Sequence, residues 1–281
     1  MKDPPACAPG SSKVKGTCYS HESLKKIARS LNSSSSLRVV PEEGNATTIW
    51  SALKNALATR CENERCWAEQ PFVSIHDRTV LLDSFRPHAP REWEQNERAW
   101  LSNLDIAAVM RQYEKKNKSF DFLGVVPVDF AQRLHTNRCV VSRMCDFDVN
   151  ELAEKGKTKL GCVVNLDPHD RPGSHWVAFF ISLKGKNRGT YFYDSIARSP
   201  PKMIADFLAS VVAKVREKDP GHRYRHNTVR RQYKNTECGV FCIKFIEDML
   251  SGRRCFDDVC DSIPYDDDTF AERRRYFDYT G

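Results

Sequence analysis

A thiol attacks a carbonyl efficiently only when a base takes its proton, a third group orients that base, and donors meet the developing oxyanion. This chain has the residue types for each task at four separate places. Cys238 opens an apolar stretch, Asn235-Thr236-Glu237-Cys238-Gly239-Val240-Phe241-Cys242, where the free N–H groups of a helix start favour a thiolate. His175 follows a polar Gly-Ser pair and begins a run of apolar residues, so it can face a cleft from a strand end. Asp194 ends the Tyr191-Phe192-Tyr193 run and can reach the His175 ring if the two strands are neighbours. Gln232, six residues before Cys238, offers an amide to the oxyanion. Taken singly each has an ordinary reading: a core histidine, an Asp-Ser turn or cap, a buried cysteine, an exposed amide.

Elements must bring these residues together. Leu24, Ile27, Ala28 and Leu31, then Ile49, Leu53, Ala56 and Leu57, recur at helical spacing and predict two short helices. Phe72 to Ile75 and Val80 to Leu82 read as strands, and the prolines of Phe85-Arg86-Pro87-His88-Ala89-Pro90 read as a linker. Residues 1–17 and 33–36, small and polar, read as loop. Trp100, Leu101, Leu104, Ile106, Val109 and Met110 share one face of a helix running to about Lys116. Leu160 to Leu166, Trp176 to Leu183 and Thr190 to Tyr193 have strand length and content and should form a sheet. Lys202 to Lys218 and Cys238 to Leu250 read as helices. The fold class is α+β, with an N-terminal arm at 1–92 and a core at 93–281.

Composition narrows the classes. The 281 residues carry 44 Lys plus Arg against 37 Asp plus Glu, a formal charge of +7, with 40% hydrophobic residues; an acidic disordered chain is excluded and a real core is within reach. No run approaches the roughly 20 apolar residues of a membrane helix, and the start Met1-Lys2-Asp3-Pro4-Pro5 lacks a secretory apolar core. The 11 cysteines are therefore expected to be buried hydrophobes plus one nucleophile in a reducing compartment, not a disulfide framework. Cys61-x4-Cys66, Cys139-x5-Cys145 and Cys255-x4-Cys260 lack the tight spacing of a zinc knuckle, and neither a metal nor another cofactor is expected.

The segments Gly173-Ser174-His175-Trp176-Val177, Tyr193-Asp194-Ser195 and Gln232-x5-Cys238-Gly239-Val240-Phe241-Cys242 resemble the His-Trp, Asp-Ser and Gln…Cys-Gly boxes of the clan CE cysteine proteases. That clan includes SUMO-deconjugating proteases, the adenovirus endopeptidase and the polyprotein protease of African swine fever virus. Trp100-Leu101-Ser102-Asn103-Leu104-Asp105-Ile106 is similar to the Trp-Leu box that opens the SUMO-protease domain. The likeness covers about residues 93–252. An arm of about 90 residues with Cys18-Tyr19-Ser20 and Cys61-x4-Cys66-Trp67 makes the chain most similar to the large-DNA-virus branch.

The resemblance implies a papain-related core and cleavage after Gly-Gly, with Cys238 as nucleophile, His175 as base, Asp194 as its orienting group and Gln232 as oxyanion donor. Trp176 is then either the roof of a narrow channel that admits only glycine or a plain core aromatic. The implied substrates are viral structural polyproteins, at assembly sites in the host cytoplasm and in the virion. A deconjugase of ubiquitin-like proteins and a catalytically silent ubiquitin-like-binding module are the alternatives. The segment 220–236 holds five Lys or Arg, two His and no acid; it reads as a solvated face, a reader of acidic substrate residues, or a site for a nucleic-acid cofactor.

Overall fold

The structure, a computed structural model, describes residues 7–11, 14, 16–35 and 39–279; the loops expected at 1–17 and 33–36 lie partly outside the described residues. The chain divides into two units, Met1–Ala89 with Arg274–Gly281, and Pro90–Arg273. The last eight residues thus belong with the N-terminal unit, whereas the sequence boundary left them with the core.

The N-terminal unit carries the helices α1 (His21–Ser33), α2 (Ala46–Leu57), α3 (Glu64–Glu69) and α4 (Ile75–Leu82). Ser20 caps α1 through the Ser23 N–H and Asn45 caps α2 through the Thr48 N–H, each filling one of the unpaired donors of a helix start. Leu24, Ile27, Ala28 and Leu31 of α1 meet Ile49, Leu53 and Leu57 of α2 in one core with Trp67, Val73, Leu81 and Phe85. The strands expected around Phe72–Ile75 and Val80–Leu82 are not strands: α4 occupies Ile75–Leu82. Ser74 accepts from the Asp77 N–H, and this cap starts a helix whose β-branched Ile75 is 83% exposed; local capping outweighs β-propensity where no neighbouring strand offers a ladder. The buried Glu64 carboxylate takes the Thr17 hydroxyl and Cys18 N–H, both at 3.0 Å, and the Trp50 indole N–H.

Six cysteines form disulfides, Cys7–Cys18, Cys61–Cys66 and Cys139–Cys145, against the expectation of none. That expectation rested on compartment. Bridge formation also depends on which thiols the turns bring into range, and the three pairs have Cα separations of 5.1, 5.5 and 6.3 Å, within bonding reach. Two of the pairs weighed as metal ligands are therefore bridges. Cys162, Cys242 and Cys260 remain free and buried, as expected of small hydrophobes, and burial pushes their thiols up, Cys260 to about 12.

The second unit opens with a short 3₁₀ turn at Arg91–Glu94 and continues with α5 (Asn103–Lys116), β1 (Phe120–Pro127), α6 (Ser142–Cys145), α7 (Val149–Glu154), β2 (Lys159–Asn165), β3 (Trp176–Ser182), β4 (Gly189–Tyr193), α8 (Lys202–Arg216), β5 (Arg223–His226), α9 (Cys238–Ser251), α10 (Phe256–Ser262) and the greater part of α11 (Asp266–Tyr276), whose last turn from Arg274 falls in the first unit. Among the described residues no helix is long and apolar enough to cross a membrane. A capping box of Ser102 and Asp105 starts α5, leaving Trp100 and Leu101 ahead of the helix instead of on its face.

The sheet has the order β1-β2-β3-β4-β5. β1 is parallel to β2, β3 runs antiparallel to both β2 and β4, and β5 is parallel to β4. The three expected strands are its centre. β1 escaped detection because Gly124 and Pro127 interrupt it, with a register shift between Phe122 and Gly124. β5, Arg223-Tyr224-Arg225-His226, is exposed and lacks an apolar pattern. On one face Leu160, Cys162, Val164, Val177, Phe179 and Ile181 pack against Ile204, Leu208, Val211 and Val215 of α8. On the other Phe120 stacks on Phe180, and Tyr193 stacks on Phe245 of α9 at 4.8 Å. Burial on both faces explains why all of Trp176–Ser182 is buried and why apolar residues run unbroken there.

Candidate active site

Antiparallel pairing of β3 with β4 puts the start of one strand beside the end of the other. His175 directly precedes β3 and Asp194 directly follows β4, so the pairing alone brings the ring and the carboxylate to one end of the sheet. Gly173, in the loop before His175, has φ +99°, and a Cβ there would lie 2.5 Å from Asn165 Nδ2; only glycine closes that turn without displacing Asn165.

His175 Nε2 lies 2.7 Å from Asp194 Oδ1, and Cys238 acts on the same ring strongly enough to help raise its pKa. With Nε2 engaged by the carboxylate, Nδ1 is the nitrogen left for the thiol. Burial pushes the imidazole pKa down, but the Asp194 hydrogen bond and the charges of Asp194 and Cys238 win and raise it to about 9. Burial by itself would raise Asp194; the His175 bond and charge, the Ile196 N–H and the Arg198 guanidinium instead hold it below the usual carboxylate value. Arg198 Nε donates to Asp194 Oδ2 at 3.0 Å and the Ile196 N–H to Oδ1 at 3.0 Å. Asn227 grips the Asp194 backbone from both sides, accepting its N–H at 2.9 Å and donating to its carbonyl at 2.7 Å.

Cys238 is the first residue of α9. The helix comes close to its neighbours there: a Cβ on Gly239 would lie 3.2 Å from Leu101 Cβ and Ile106 Cδ1. Glu237, fully buried, forms a two-point ion pair with Arg273, Nε and the second guanidinium nitrogen each at 2.7 Å, and the Arg273 guanidinium lies over the Trp93 ring. Losing one partner of such a pair costs about 3–5 kcal/mol, so this pair pins the chain at the residue before the nucleophile.

The remaining candidates are placed less directly. Gln232 is buried beside the Asp194-Ser195 turn, its Oε1 taking the Ser195 hydroxyl at 2.6 Å and its Nε2 donating to the Lys234 carbonyl at 2.7 Å. Trp176 is largely buried, with its indole N–H on the Leu101 carbonyl at 3.1 Å. Part of it lines a groove of about 780 Å3 together with Gly173, Leu101, Trp100, Pro127 and His169, so it is both core aromatic and groove wall. Asn227, Arg198, Ser195 and Glu237 were missed from sequence. Asn227 lies 33 residues from Asp194, and no local spacing marks such a partner.

The basic segment is largely neutralised. Arg225 pairs with Asp257, Arg231 with Asp261, and Lys234 with Asp267; Arg230 stacks on Tyr233.

Residues 163–269 match the Ulp1 protease family, C-terminal catalytic domain. This stretch of the chain is similar to the catalytic domain of that cysteine protease family. All four of the candidate catalytic residues, at 175, 194, 232 and 238, fall inside the matched span. A candidate thiol protease of Acanthamoeba polyphaga mimivirus is 30% identical over 202 residues, 70% of this chain, and the chain covers 63% of that relative's length. The cysteine protease of African swine fever virus (isolate Tick/Malawi/Lil 20-1/1983) is 24% identical over 224 residues, covering 72% of this chain and 78% of the relative. The crystal structure of the African swine fever virus protease superposes with a TM-score of 0.69 at 19% identity, covering 100% of this chain and 98% of that one. The mixed α/β fold is thus shared with that protease.

Proposed function

We propose that this protein is a cysteine endopeptidase that cleaves after Gly-Gly and matures viral structural polyproteins during particle assembly. The observation that carries the reading is His175 held at 2.7 Å by Asp194 while Cys238 acts on the same ring to raise its pKa. The chemistry follows from that arrangement. His175 Nδ1 takes the Cys238 proton as Sγ attacks the scissile carbonyl carbon, and the negative charge moves to the carbonyl oxygen. Gln232 Nε2 and the Cys238 N–H hold that oxyanion. Its collapse breaks the C–N bond, and His175 gives its proton to the leaving amine. Water, deprotonated by His175, then attacks the thioester, releasing the acid and restoring the thiol.

The Gly-Gly preference draws on the resemblance and on the Trp176 and Gly173 walls of the groove: residues without a Cβ pass where side chains clash. Pairing of the basic segment with Asp257, Asp261 and Asp267 favours a polypeptide partner over a nucleic-acid cofactor. Action at cytoplasmic assembly sites and in the virion belongs to the same proposal, and three disulfides suit a protein that leaves the reducing cytoplasm inside a particle. A second reading, removal of a ubiquitin-like modifier, is favoured by one observation: African swine fever virus relatives bear the name SUMO-1 cysteine protease.

The test is incubation of wild type and Cys238→Ala with Gly-Gly-X peptides and with a SUMO fusion, with the disulfides intact. Peptide cleavage by wild type alone supports maturation. Preference for the folded fusion selects the deconjugase, and absence of cleavage together with failure of a Gly-Gly electrophile to label Cys238 overturns both.

A further inference from the structure

Hydrogen-bond accounting around Gln232 assigns a task to its neighbour Ser195. Both side chains are buried, each 2% exposed. The Lys234 carbonyl can only accept, so the end of the amide 2.7 Å from it is Nε2. The opposite end, Oε1, then faces Ser195 at 2.6 Å, and the hydroxyl donates to it. Of the two Nε2 protons one is on Lys234 and one is left for an oxyanion. The main chain repeats the attachment: the Ser195 carbonyl accepts from the Arg231 N–H at 2.8 Å and the Gln232 N–H at 2.9 Å. Ser195 also follows Asp194 in sequence, so one dipeptide holds the base with its first side chain and the amide with its second.

We infer that Ser195 is a positioning residue, whose hydroxyl fixes the orientation of the Gln232 amide so that one N–H stays directed at the developing oxyanion. The inference rests on Gln232 as oxyanion donor, as proposed above. Without the hydroxyl, Oε1 is left buried and unpaired, and the amide turns to find another donor. The base is untouched, because Asp194 keeps His175, Ile196 and Arg198. Ground-state binding of substrate and the reactivity of Cys238 toward an alkylating agent therefore persist while stabilisation of the tetrahedral intermediate falls.

The experiment compares wild type, Ser195→Ala, Gln232→Ala and the double variant in kcat and KM on a Gly-Gly-X peptide, in inhibition by a Gly-Gly aldehyde, and in alkylation of Cys238 by iodoacetamide. The aldehyde makes a tetrahedral adduct with its own oxyanion, whereas alkylation needs the thiolate but no oxyanion donor. Expected for Ser195→Ala is a fall in kcat of about tenfold or more, up to the 10²–10³ of losing a donor outright. KM and the alkylation rate stay within about twofold, and aldehyde affinity falls with kcat. In the Gln232→Ala background the serine substitution should change kcat by less than about twofold. Ser195→Ala with wild-type kcat overturns the inference, as does a fall in alkylation parallel to kcat, which marks general damage, or losses that multiply in the double variant. If wild type neither cleaves the peptide nor binds the aldehyde, the protease reading itself fails and takes the inference with it.

Discussion

Two His–Asp pairs stand in the same unit of this molecule, and only one of them has a cysteine acting on its ring. His175 and Asp194 lie 2.7 Å apart, with side chains 13% and 1% exposed. His169 and Asp129 lie 2.6 Å apart, but the imidazole is 42% exposed and borders the open groove. In both pairs the carboxylate raises the imidazole pKa, for His169 mainly through the Asp129 hydrogen bond. The pair alone is therefore not the machine. What distinguishes His175 is a third element: α9 begins with Cys238, whose thiol acts on this ring and helps raise its pKa. The His169 ring is held by the Asp129 carboxylate, and no thiol or hydroxyl among the described residues is hydrogen-bonded to it. Burial adds to the difference, since an exposed pair is screened and contributes little.

Four measurements can break or sharpen the contrast. The largest effect is expected for Cys238→Ala, which removes the nucleophile and should lower peptide cleavage by roughly 10⁴-fold or more; residual turnover above that level would show that some other group attacks. Next comes exchange of the two carboxylates. Asp194→Asn should cost roughly 10²- to 10⁴-fold in kcat, while Asp129→Asn, read in the same assay, should stay within about twofold. Equal losses would make the pairs equivalent and dissolve the comparison.

The pH dependence is smaller and has a definite sign. His175 titrates at about 9 in the fold against about 6.5 when unfolded. The stabilisation it brings is full below about 6.5 and is lost as pH rises through 9. The melting temperature of wild type should exceed that of His175→Gln by most near pH 6, and the gap should close by about pH 10. A gap that widens with pH would reverse the assignment. Asp194, held below its ordinary value, contributes above about 3.8 and loses its contribution as pH falls through its lower folded value. The smallest effect is expected for His169→Gln, with kcat changed by less than about twofold; a loss of tenfold would place His169 in substrate handling.

Legibility in the sequence followed how local each cause was. α1, α2, α8 and α9 were readable because one face of each is apolar at helical spacing, and β2, β3 and β4 because their apolar runs have strand length. The stretch Ile75–Leu82 misled because Val80, Leu81 and Leu82 have strand content, while the decisive feature was the single Ser74 cap. β5 could not be read from Arg223-Tyr224-Arg225-His226, since its strand character comes from pairing with Gly189–Phe192.

The sequence by itself determined the residue types at the site, their order along the chain, and the apolar periodicities that make the sheet and its covering helices, because these depend on side chains and on spacings of a few residues. Only the tertiary structure decided which histidine meets a cysteine, that Asn227 and Arg198 grip Asp194, that Ser195 turns the Gln232 amide, and that six cysteines pair. Hydrogen bonds and disulfides need approach to within a few ångströms. For groups separated by 19 to 63 positions, as Asp194 is from His175 and Cys238 from His175, that distance is set by strand pairing and helix packing, which no local stretch of sequence contains.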